Sequence, residues 1–75
     1  MTNEITTRRA KLTHLYLERA AHYFELASIE VKASGNAFSC PSIAHAMASA
    51  LDAQKAALGA YDHIDPQTIT KEIKP

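Results

Sequence analysis

Between Pro41 and Tyr61 one helical stretch carries two apolar seams, and that doubling narrows what the chain can fold into. Ile43, Met47, Leu51, Gln54, Leu58 and Tyr61 recur at helical spacing, with only Gln54 polar. Beside them Ala46, Ala50, Ala53, Ala57 and Ala60 step four, three, four, three. One seam can cover the chain's other long helix. The second has nothing left to pack on within 75 residues, so it points to a partner chain.

That other helix is expected over about residues 3–33. Thr2 or Asn3 can cap its first N–H groups, and Glu4 suits the positive end of the dipole. Without Gly or Pro it can run to about Lys32, roughly 40 Å at the usual rise per residue. Ile5, Leu12, Tyr16, Ala20, Tyr23, Ala27 and Val31 share one face. Leu17 and Phe24 widen it on one side, Leu15 and Leu26 on the other, as a helix touching two neighbours would require.

Gly35 fits the left-handed position that ends a helix. Ser39 is the preferred cap of the second helix, placing Phe38 and Ile43 at the positions of a hydrophobic staple. Cys40 as cap would instead put Pro41 at the first helical position. The second helix is expected over about 40–61. Asp65–Pro66 offers a further start for a short helix or an extended tail over 65–75, with Ile64 and Ile69 at staple spacing.

The reading is a single all-α domain spanning 1–75, an antiparallel helical hairpin that pairs into a four-helix-bundle homodimer. Near 75 residues a lone core is barely sufficient, and one cysteine permits no intrachain disulfide, so association is the obvious source of added stability. Tyr16, Tyr23, Met47, Leu51, Leu58 and Tyr61 are expected as core. Ala46, Ala50, Ala53 and Ala57 are expected as a close helix–helix contact. Tyr16, Tyr23, Leu51 and Leu58 join them as packing or dimer-interface residues. Gln54 is a buried-polar candidate for fixing register.

Chemistry is sparse. His14, Glu18, His22 and Glu25 lie on one polar face of helix 1, where two or three could converge on a metal ion. The same alternation describes a solvated face held by side-chain pairs, which is the preferred reading. Cys40 sits at a helix start, but His45 lies about 140° around the helix, and no oriented base accompanies the thiol. The two glycines, Gly35 and Gly59, make no phosphate-cradling loop. No catalytic residue, cofactor or metal site is expected, and the protein is read as not an enzyme.

Eight basic and eight acidic side chains cancel, which removes the general electrostatic case for nucleic-acid or membrane binding. No apolar run is long enough to span a bilayer or to resemble a secretory signal, so a soluble cytoplasmic protein is expected. By elimination, the leading expectation is a non-enzymatic homodimer that binds and modulates another, unidentified protein. The alternative is a nucleic-acid-binding regulator using Arg8, Arg9, Lys11 and Arg19 in the basic first half of helix 1. Many unrelated small helical proteins share this architecture, plasmid- and phage-type regulators among them, so fold alone does not carry function.

Overall fold

Thirty-one residues free of Gly and Pro form α1 (Glu4–Ser34), as expected from helix 1's uninterrupted pattern. In the computed structural model, which describes residues 4–73, α1 is followed by a 3-10 turn (Ala37–Ser39), α2 (Pro41–Ala57) and α3 (Pro66–Ile73). Among the described residues there is no strand. The expected Thr2 or Asn3 cap lies outside those residues. At the other end Gly35 adopts φ 69°, and its N–H donates to Val31 O at 2.8 Å, closing the helix where glycine was expected.

The turn into α2 differs from the preferred reading. Asn36, not Ser39, caps the 3-10 turn, its Oδ1 accepting from Phe38 N at 2.9 Å. Ser39 belongs to that turn, and Cys40 stands at the N-cap of α2 with Pro41 first in the helix. Phe38 is fully exposed, so no staple onto Ile43 forms. Proline decides the matter: its fixed φ and missing N–H suit the first helical position, which leaves the cap to the residue before it.

α2 stops at Ala57, short of the expected Tyr61. Gly59 at φ 90° lets the chain close with paired bonds, Ala60 N to Lys55 O at 3.0 Å and Gly59 N to Ala56 O at 3.1 Å. This is a Schellman closure, which satisfies carbonyls the helix would otherwise leave open. Asp65 then starts α3 by accepting from Gln67 N at 3.0 Å, and Ile69 and Ile64 pack onto the hairpin core.

α1 and α2 run antiparallel, the early part of α1 lying beside the end of α2 and its final turns beside the beginning. Arg9 reaches Asp62 at one end, and Ser42 donates to Glu30 Oε1 at 2.6 Å near the other. The core is built large-into-small. Leu12, Leu15 and Tyr16 of α1 meet Ala53 and Ala56 of α2, with Ile69 of α3 closing one side. Along α2 the buried residues are Ser42, Ala46, Ser49, Ala53 and Ala56. Small side chains there let the helix lie close to α1 and leave room for its leucines and Tyr16.

The large-residue seam therefore turns outward in the single chain. Met47, Leu51 and Leu58, expected as core, are 53%, 54% and 77% exposed. Gln54 is exposed as well, not a buried register-setting amide. Of the expected core, Tyr16 is buried, while Tyr23 and Tyr61 are half-buried. The reason lies on α1. Its inward positions already carry the bulk, so only the small side chains of Ser42, Ala46, Ser49, Ala53 and Ala56 can face them without forcing the helices apart.

Candidate interaction face

The hairpin has two broad sides, and they differ. On one side the chain after α2 folds back over the core. Tyr61 tilts against Tyr16 with ring centroids 5.6 Å apart, and its hydroxyl donates to Asp52 Oδ1 at 2.7 Å. That hydrogen bond, with burial and the carboxylate's charge, pushes the Tyr61 pKa up to about 12. Arg9 donates through Nε and Nη2 to the two carboxylate oxygens of Asp62, at 2.9 and 2.6 Å. This pairing holds the Asp62 carboxyl below its ordinary range. Arg8 donates to Ile64 O at 3.2 Å. The returning segment is thus tied to α1 by aromatic packing, charge and a carbonyl contact.

The opposite side carries no such cover among the described residues. At about 100° per residue, Thr6, Ala10, Thr13, Leu17, Phe24 and Val31 form a stripe on α1 beside its buried face. Ile43, Ala50, Gln54 and Ala57 form the matching stripe on α2, and Met47, Leu51 and Leu58 continue it around the outer flank. Because the helices are antiparallel, both stripes fall on the same side of the hairpin. A hollow of about 520 Å³ bears this out at one end, bounded by Ala10, Thr13 and Leu17 of α1 together with Ala57 of α2. Leu17 and Phe24 are 52% and 47% exposed. Neither stripe contains Asp, Glu, Lys or Arg. Large apolar side chains gathered on one neutral face are unusual for a solitary soluble chain.

Three of the polar side chains at the edge of the hollow are already engaged. Arg9 is paired with Asp62, His14 Nε2 lies 2.8 Å from Glu18 Oε1, and the Thr13 hydroxyl donates to Arg9 O at 2.6 Å. The hollow thus offers volume and apolar wall more than hydrogen-bonding groups.

The residues singled out in the sequence are distributed as follows. Ala46 and Ala53 are buried between α1 and α2, Ala50 is half-buried, and Ala57 is exposed at the hollow. Tyr16 lies in the core, and Tyr23 packs against His45 with centroids 5.2 Å apart. Leu51 and Leu58 are on the outer flank of α2. Of the basic set, Arg8 and Arg9 turn to the returning segment, Arg19 is half-buried and Lys11 is exposed. His14 pairs with Glu18, whereas His22 leans edge-on against Tyr23. Among the described residues no three of His, Cys, Asp and Glu gather as a metal site. Cys40 is buried, its Sγ 3.5 Å from Asn36 O. No described helix is long and apolar enough to cross a membrane.

No local pattern signalled the Arg9–Asp62 bond, which joins residues 53 positions apart. The basic cluster around Arg9 pointed instead towards an outside ligand. Set against protein-family models, curated proteins and solved structures, the chain finds no match.

Proposed function

We propose that this chain is a small non-enzymatic helical protein that pairs with a second copy through its open apolar face, forming a four-helix bundle that binds and modulates another protein. The observation that carries the first part is the neutral face bearing Leu17 and Phe24, left open along its length, whereas the returning segment covers the opposite side beside the early part of α1. A bundle would bury that face by the same helix-on-helix packing that holds the hairpin together. Light scattering over a concentration series tests it. A mass of two chains for wild type, falling to one in Leu17→Glu with helical content retained, supports pairing. A one-chain mass for wild type throughout the micromolar range sinks it.

The modulating role follows from the lack of a recognisable catalytic set and from the even charge balance. Affinity capture from the native host, with a Leu17→Glu control, tests whether a partner protein is retained by the paired form. The nucleic-acid alternative is less favoured, because the Arg9 fork is engaged by Asp62 and Arg8 by a backbone carbonyl. Since reversing either arginine would also loosen the returning segment, Lys11→Glu is the cleaner probe. RNA or DNA binding that weakens steeply with salt and is reduced in that variant would favour the alternative.

A further inference from the structure

We infer that the open faces of two copies meet end for end, α1 on α1, with Phe24 of each copy seated in the other's hollow between Ala10, Thr13, Leu17 and Ala57. The inference rests on the pairing reading above and adds the arrangement that reading leaves open.

The α1 stripe is graded along its length. Thr6, Ala10 and Thr13 are small and border the 520 Å³ hollow, whereas Leu17, Phe24 and Val31 are large. Such a face does not match itself side by side, but it does when turned end for end. Ala10 and Phe24 each lie seven residues from Leu17, so a two-fold axis crossing α1 at Leu17 brings Phe24 of one copy over Ala10 of the other. The contact is isologous, and both hollows fill at once. Its centre is neutral, so no like charges are brought together.

The competing arrangement keeps both copies pointing the same way and lays α1 on the partner's α2. There the two hollows would open onto each other and double the void, while the bulk at the Phe24 and Met47 level of both copies would collide. Protein interfaces pack at interior density, and neither an empty space of that size nor an overfilled one is well tolerated. The area also fits. Ala10, Leu17 and Phe24 on α1 and Met47, Gln54 and Ala57 on α2, all exposed on or beside the stripes, offer roughly 500 Å² per chain, hence about 1,000 Å² over two copies, the lower bound for a specific interface.

Disulfide trapping tests the arrangement in a Cys40→Ala background, so that no native thiol competes. Thr6 and Ser28 are exposed, sit on the stripe or its edge, and lie eleven residues either side of Leu17. An equimolar mixture of Thr6→Cys and Ser28→Cys chains should form an intermolecular disulfide on mild oxidation that neither variant forms alone. A two-chain mass without that mixed disulfide would overturn the end-for-end arrangement and leave pairing intact. A one-chain mass would overturn both. Ala10→Trp, which fills the hollow at an exposed position, should shift the population to single chains. An undiminished two-chain mass in that variant would also overturn the seating of Phe24.

Discussion

Arg9 grips Asp62 through two parallel hydrogen bonds, and that pair fastens the chain beyond α2 back onto the first turns of α1. The geometry is a planar fork meeting a carboxylate, the form in which Arg is not replaced by Lys without loss. It stands beside Gly59, where an added Cβ would lie 2.7 Å from Arg9 Nη2.

Asp62→Asn should therefore loosen the returning segment more than it lowers overall stability. Hydrogen exchange is expected to quicken for amides of residues 61–69, with α1 protection changing little. The sign with pH follows from the depressed carboxyl. Its contribution is present above the ordinary carboxylate pKa and is lost as pH falls through the lower folded value. The acid limb of a thermal-stability profile should accordingly be shallower in Asp62→Asn. An unchanged exchange pattern would show that the pair fastens nothing.

Tyr61 gives the alkaline counterpart. Its folded pKa of about 12 lies above the ordinary tyrosine value. Its contribution is complete below pH of about 10 and is lost as pH rises through about 12. Tyrosinate absorbance should show a late-titrating component that is absent in Tyr61→Phe and moved earlier in Asp52→Asn. A titration curve unchanged by Tyr61→Phe at its alkaline end would contradict the Tyr61–Asp52 bond.

The two glycines should respond unequally to alanine. Both have positive φ, but a Cβ on Gly35 meets nothing within 4 Å, whereas one on Gly59 runs into the Arg9 guanidinium. Gly35→Ala should cost about 1 kcal/mol for the left-handed backbone. Gly59→Ala should cost somewhat more, because the Arg9–Asp62 fork must also shift. Urea unfolding of both variants checks the order; equal losses would mean the guanidinium yields freely.

Alanines on α2 should divide by direction. Ala46→Leu forces bulk between helices that lie close there, with an expected loss of about 1–3 kcal/mol. Ala48→Leu, two residues on and exposed, should leave stability within about 0.5 kcal/mol. Chemical denaturation distinguishes them, and equal tolerance would contradict the inward alanine seam.

Much of the local structure was readable from sequence because local rules govern it. An unbroken run to Gly35 and Asp65–Pro66 as the start of α3 each depend on neighbours along the chain, whereas at the start of α2 the preferred Ser39 cap gave way to Cys40. The stopping point of α2 was less legible, because Gly59 closes the helix while the apolar periodicity runs on to Tyr61. Which seam faces inward was harder. Periodicity marks apolar faces but does not rank them, and Met47, Leu51 and Leu58 looked more core-like than any alanine. The candidate face was legible only as an excess of apolar surface, and its hollow, made by residues of two helices, was not legible at all.

Sequence by itself determined that two long helices form and that they carry more apolar flank than the hairpin buries, since propensity, capping and spacing act within a few residues. Tertiary packing decided the rest. Leu12, Leu15 and Tyr16 fill the space between the helices and admit only small partners, so Ala46, Ser49, Ala53 and Ala56 went in and the large residues stayed out. The arginine–carboxylate bond likewise joins groups 53 positions apart, and only the folded hairpin brings them within reach.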